Sequence, residues 1–147
     1  MTMLQVATAV DTREQNEKYS TAAVTEAEIS KLVDTFYRKV REDATIGPIF
    51  DAFVKDWPSH LILLKNFWST VLLGAAKFRG DPMATHMKLP LEREHFEHWL
   101  ALFAETATEL LSPHNAATVI RKSEQIAKNF QLAIAYERRQ PAAHVLP

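Results

Sequence analysis

With 147 residues, no cysteine and a formal net charge of -1 at pH 7, the chain has room for one domain that buries roughly two-thirds of its unfolded surface. The missing thiols exclude disulfides, iron–sulfur clusters, thiolate zinc sites and cysteine nucleophiles, and the balanced charge lacks the basic footprint of a nucleic-acid binder. Gly47, Gly74 and Gly80 are the only glycines, and they cannot assemble the GxGxxG or GxxxxGK phosphate cradles of dinucleotide and P-loop proteins.

The opening MTMLQVATAVDTREQ has neither a basic start nor a sustained apolar stretch, so it does not read as a signal peptide. Residues 1–24 are expected to form a flexible arm. Order begins at Thr25-Glu26-Ala27-Glu28, a capping box, with Val24 placed to staple Ile29 across it. Ile29, Leu32, Val33, Phe36, Tyr37 and Val40 then recur at helical spacing and predict a helix to about Glu42. Gly47-Pro48 breaks the chain and leaves Ile49, Phe50 and Phe53 on a tight connection.

Pro58 suits the first turn of a second helix that continues to about Leu73. This segment is apolar almost all the way round. His60, Leu64, Phe67, Trp68 and Val71 form one stripe and Leu61, Leu63 and Leu72 another, so the helix is expected to be covered on two sides, with one face packed on protein and the other facing something that is not helix. Its unbroken apolar run, Leu61–Leu64, is far too short to span a membrane, and a soluble cytoplasmic protein is expected.

Asp81 is a good N-cap with Pro82 behind it, and Pro90 restricts Leu89, which predicts a two-turn helix carrying His86 between prolines. A longer helix follows, about Leu91–Leu111, with Phe96, Trp99, Phe103, Thr106 and Leu110 along one face. Ser112-Pro113 separates it from a last helix, about Asn115–Arg138, with Val119, Ile126, Phe130 and Ile134 turned inward. Residues 139–147 form a Pro/Ala tail. No strand pattern or repeat interrupts this reading, so the fold class is all-α, with one domain over residues 25–138.

Few residues here could carry chemistry. A lone helical histidine is more often a surface or satisfied core residue than a ligand. His86 nonetheless sits among Met83, Met87 and Leu89, and a neutral imidazole in apolar surroundings is what a haem iron requires. His60 is either a solvated histidine at a helix start or a group above such an iron, with a flat macrocycle covering the spare apolar face of its helix. Tyr37 and Trp99 each carry a donor that needs a partner if buried; the plainer reading leaves those polar atoms at the surface. His95 and His98, beside Glu92, Glu94 and Glu97, read best as a solvated charged face. A di-iron bundle needs two Glu-x-x-His motifs, and Glu92/His95 is the only one. No nucleophile elbow supports a Ser/His/Asp site.

Taken in order, Phe36-Tyr37, Gly47-Pro48-Ile49-Phe50, His60, Asn66-Phe67-Trp68, Leu72-Leu73-Gly74, His86-Met87-Lys88-Leu89-Pro90 and His95-Phe96-Glu97-His98-Trp99-Leu100 resemble the truncated haemoglobins of group III. The likeness runs on through Ala127-Lys128-Asn129-Phe130-Gln131 and covers about residues 25–135. The chain lacks the glycine pairs usual in groups I and II, which fits group III. The arm before Thr25 and the tail after Arg138 are not explained by the family pattern.

The resemblance implies a truncated globin-like two-over-two helical sandwich around haem b. It implies His86 as the iron ligand, with Met87 beside it, and His60 as the distal histidine. Tyr37 and Trp99 would be distal hydrogen-bond donors, Phe50 would brace the haem edge, and Leu64 would lie over the distal face. Phe36, Trp68, Phe96 and Phe130 would fill the pocket walls. For His60 three roles stay open: gate, donor or sixth iron ligand. Its place in a first helical turn, where local opening is cheap, points to the gate.

Donors above a pentacoordinate iron would stabilise bound dioxygen, which carries partial negative charge, and slow its release. That argues for detoxification of nitric oxide or peroxide, or for gas sensing, rather than bulk oxygen transport. Nitric oxide dioxygenase or peroxidase-like activity is implied as a candidate, with an unknown reductase as partner and no nucleic acid or membrane. The competing reading is a haem-free helical interaction or regulatory module whose apolar pocket closes or takes a lipid-like ligand. A Soret band on reconstitution with haem separates the two.

Overall fold

A computed structural model of the chain describes residues 22–78, 80 and 89–139. The elements among them are all helices: α1 Glu26–Glu42, α2 Gly47–Phe53, α3 Trp57–Leu73, α4 Arg93–Leu110 and α5 Pro113–Arg139. α1 packs on α3, and α4 packs on α5; α1 also lies against α4 and α2. The four long helices therefore form a two-over-two sandwich with α1 as the bridge between layers. The short helix expected after Asp81, with His86 and Met87, lies outside the described residues, as do residues 1–21 of the expected arm and the tail beyond Arg139.

α1 starts as its capping box requires. The Thr25 hydroxyl accepts from the Glu28 N–H at 3.1 Å, and the Glu28 carboxylate accepts from the Thr25 N–H at 2.9 Å. Val24 and Ile29 are both buried beside it, and the periodic residues Leu32, Val33, Phe36, Tyr37 and Val40 all face the core. Asp43 ends the helix and turns the chain, its carboxylate accepting from the N–H groups of Thr45 and Ile46 at 2.8 and 3.0 Å.

The stretch after this turn is not the irregular connection that Gly47-Pro48 suggested. It is a seven-residue helix. Proline at a first-turn position costs no hydrogen bond, because that N–H has no intrahelical partner in any case. Glycine is needed at position 47 for space: a Cβ there would stand 2.9 Å from the carbonyl oxygens of both Val40 and Arg41. α2 thus starts pressed against the end of α1.

α3 is capped by Asp56, which accepts from the Ser59 N–H and hydroxyl at 3.3 and 2.7 Å. It ends at Gly74, whose φ of 69° is the left-handed conformation glycine adopts without strain. Thr70 then holds the returning loop by accepting from the Lys77 and Phe78 N–H groups. The two faces of α3 differ. Only Trp57, Trp68 and Ser69 are buried on it, while Ile62 is 61% exposed. One side meets α1; the other faces a cavity.

The ends of the last two helices also move. α4 begins at Arg93, after a turn in which Leu91 N–H donates to the Leu89 carbonyl at 2.8 Å. α5 begins at Pro113 rather than Asn115, because Ser112 caps it by accepting from the Asn115 N–H at 3.2 Å. Between the layers, Phe103 is stacked on Trp68 and Trp99 with ring centroids 5.2 Å away on each side, and Phe36 meets it edge-on at 5.1 Å. A smaller cluster of Leu91, Phe96, Ala127, Phe130 and Ile134 joins α4 to α5.

Candidate functional site

A cavity of about 670 Å³ opens between α3 and the facing surfaces of α4 and α5. α1 contributes Tyr37 to it, α2 contributes Phe50 and Phe53, and α3 contributes His60, Leu63, Leu64, Phe67 and Trp68. Phe96, Trp99, Ala127 and Phe130 line the side formed by α4 and α5. Helical spacing explains the α3 contribution: residues three and four apart share a face, so 60, 63, 64, 67 and 68 point the same way.

The tyrosine is the polar feature of this wall. Its ring is enclosed by Phe36 at 4.8 Å, Phe50 at 6.2 Å and Trp57 at 6.1 Å. Burial pushes the Tyr37 hydroxyl well above the ordinary phenol range, outweighing a hydrogen bond from the Trp99 side chain that acts the other way. The group is therefore a neutral donor at any physiological pH. Among the described residues no buried polar side-chain atom is sealed off without a partner, and Tyr37 lines the cavity together with Trp99. Tyr37 and Trp99 thus form one polar corner of the wall, the indole side chain hydrogen-bonded to the phenol.

The expected site residues fall into three groups. Tyr37, Phe50, His60, Leu64, Trp68, Phe96, Trp99 and Phe130 come together around the cavity. Phe36, expected in the wall, stands one layer behind it with no exposed surface, where it meets Tyr37, Trp99 and Phe103 edge-on. A position next to Tyr37 on a helix points about 100° away from it, which is why the two cannot both face the cavity. His86 and Met87 lie outside the described residues.

The charged face predicted around His95 and His98 is corrected in both positions. His95 lines the cavity, and its Nδ1 accepts from the Glu92 N–H at 2.8 Å. His98 donates from Nε2 to Asp43 at 2.6 Å. Burial tends to raise the Asp43 carboxyl, but the hydrogen bonds from His98, Ile46 and Thr45 prevail and hold it below the ordinary range. Sequence reasoning also passed over Phe53, Phe67 and Phe78 as cavity residues. The signal for Phe67 was present in the His60 stripe; Phe78 arrives through the Thr70-pinned loop, which no periodicity reveals.

A family model described as bacterial-like globin matches residues 17–135. The chain is 34% identical over 113 residues to the group 3 truncated hemoglobin ctb of Campylobacter jejuni, covering 74% of this chain and 89% of that protein. The crystal structure of the group III truncated hemoglobin from Campylobacter jejuni superposes with a TM-score of 0.73 at 33% identity, over 80% of this chain and 94% of that one. The group II truncated hemoglobin from Bacillus anthracis shares the fold, with a TM-score of 0.63 at 24% identity over 71% of this chain and 83% of that one.

Fold and cavity together define an all-α globin of the shortened, two-over-two kind. The chain belongs to the bacterial-like globins, and among them to the group III truncated haemoglobins. That membership supports globin-type haem ligand binding.

The residues present fit such a group. The cavity volume lies in the range of cofactor sites, roughly 300–1,000 Å³. Its wall is apolar and rich in aromatic rings. Phe53 and Leu63 line it while 50% and 45% exposed, so they offer apolar surface that the protein itself does not cover. No helix among the described residues is long and apolar enough to cross a membrane.

Proposed function

We propose that this chain binds haem b in the cavity, with His86 as the iron ligand, and uses it to bind dioxygen, nitric oxide or peroxide. Haem would supply the iron that binds such ligands. The observation that carries the reading is the neutral Tyr37 phenol in the wall of an aromatic cavity otherwise suited to a flat macrocycle.

The chain's own contribution is binding, exclusion of water and hydrogen bonding. Leu64, Phe67 and Trp68 form an apolar wall on the α3 side, and Phe96, Ala127 and Phe130 form the opposing one. Each large apolar side chain covered by a ligand contributes roughly 1.5–3 kcal/mol. Tyr37 donates its hydroxyl hydrogen bond to a small ligand, and the Trp99 indole, hydrogen-bonded to the phenol oxygen, orients it and is the second donor of the same corner. Two donors retain a ligand that carries partial negative charge. Slow release suits detoxification or sensing better than bulk oxygen transport, with nitric oxide dioxygenase or peroxidase-like turnover, supported by a separate reductase, as the enzymatic form. The expected setting is the cytoplasm.

The test is reconstitution of the full chain with haem. A Soret band in the wild type, lost or changed in axial character in His86→Ala, is the expected result. A normal band with an unchanged axial signature in that variant removes His86 as the ligand. No band in the wild type leaves the haem-free helical module.

A further inference from the structure

Polar groups of the cavity wall divide by whether the fold already uses them. Lys55 donates its ammonium to the Ala52 carbonyl at 3.1 Å, and Asp56 caps α3. His95 is different. It is half-buried in the wall at the start of α4, near Leu89, Leu91 and Phe96, and only one of its two ring nitrogens has a structural task. Nδ1 accepts from the Glu92 N–H, so it carries no proton in the neutral ring. The proton of the neutral imidazole must then sit on Nε2, which makes that atom a donor.

Among the described residues Nε2 has no partner. It is not sealed off either, since no buried polar side-chain atom is left without one. Of the carboxylates at this helix start, Glu92 is paired with Arg138 at 3.1 Å and Glu97 with Arg93 at 3.0 Å. A fixed N–H in an apolar wall calls for an acceptor on whatever fills the cavity. The strongest acceptor of an N–H is a carboxylate. On a macrocycle such as haem the ionised groups are its two propionates.

We propose that His95 is a carboxylate-binding residue of this cavity, its Nε2–H donating to a haem propionate; the assignment rests on the haem-binding reading above. The Glu92 N–H sets the tautomer and ring position, and the propionate takes the donor that this leaves. A histidine at this place in the capping box therefore does two things. It starts α4 and holds one edge of the ligand.

Two substitutions separate those tasks. In His95→Glu the carboxylate still accepts from the Glu92 N–H, as glutamate does in an ordinary capping box, but it repels a propionate. In His95→Gln the amide both accepts and donates. The measurement is the rate of haem loss from the reconstituted full-length protein to excess apomyoglobin, with far-UV circular dichroism checking helix content. His95→Glu should lose haem about tenfold faster than the wild type, the order expected for a hydrogen bond to a charged group. His95→Gln should stay within about twofold of the wild type. With haem dimethyl ester, whose carboxylates are masked, the ratio of His95→Glu to wild type should fall towards one. Equal haem loss from His95→Glu and wild type, or a ratio unchanged with the ester, overturns the assignment while the Soret band upholds haem binding. A wild type that gives no Soret band overturns both.

Discussion

Tyr37 suits the proposed role of donor because burial keeps its proton on. Its hydroxyl is held above the ordinary phenol range, so it stays neutral until the solution is strongly alkaline. Trp99 stands in the same corner, its indole N–H, which can only donate, hydrogen-bonded to the Tyr37 side chain. Tyr37→Phe and Trp99→Phe should each speed oxygen dissociation from the haem-loaded protein by about tenfold, the size of a lost hydrogen bond of roughly 1–3 kcal/mol. The double variant should fall short of the product of the two if both address one ligand atom. Stopped-flow off-rates decide this, and unchanged rates in both single variants would remove the polar-corner argument. His60 has a different place, in the first turn of α3 with its ring edge-on to Trp57 at 5.7 Å. His60→Ala should therefore change the association rate of carbon monoxide more than the oxygen off-rate. Six-coordinate, low-spin bis-histidine iron in the resting protein, reverting in His60→Ala, would show the gate assignment to be wrong.

At the scale of elements, the corner between α1 and α2 is the tightest part of the fold. Gly47 lets α2 begin against the last carbonyls of α1, where any Cβ would be 2.9 Å from two backbone oxygens. These atoms cannot swing aside as a side chain can. Gly47→Ala should destabilise the protein by about 1–3 kcal/mol, the usual cost of overpacking, read as a lower urea midpoint with an unchanged m-value. The same corner is tied to α4 through Asp43 and His98. Because the folded Asp43 carboxyl sits below its unfolded value, the stability it contributes is present above the unfolded pKa and is lost as pH falls through the folded one. The loss should appear below about pH 4, where free aspartate titrates. Asp43→Asn should flatten that acid limb in thermal melts while costing some stability at neutral pH. An acid limb of the same slope in the variant would mean that other carboxylates dominate.

For the molecule as a whole, the cavity is a gap that the described residues leave between the helix layers. Phe53 and Leu63 remain half exposed along it, while the Trp68–Phe103–Trp99 stack behind is closely packed. A ligand that binds only the folded state adds stability by mass action. Haem at a hundredfold excess over its dissociation constant should add about 2.7 kcal/mol and raise the melting temperature by about 10 °C. Calorimetry with and without haem measures it; no shift would mean that the cavity is filled some other way. Much of this architecture was legible in the sequence. Helical periodicity places the inner face of α1, the Thr25 box marks its start, and the ordered motifs from Phe36-Tyr37 to Phe130 identify a group III truncated haemoglobin. These are local signals, set by 3.6-residue spacing and by the unsatisfied N–H groups of a helix start. What tertiary structure alone decided is where polar atoms and spare apolar surfaces meet. Phe36 and Tyr37 are equally buried by period, yet only the tyrosine reaches the cavity. His95 and His98 read alike as exposed, yet one lines that cavity and the other pairs with Asp43, 55 positions away in sequence. Apolar spacing shows that a face is covered; whether protein or ligand covers it depends on how helices distant in sequence come to lie against each other.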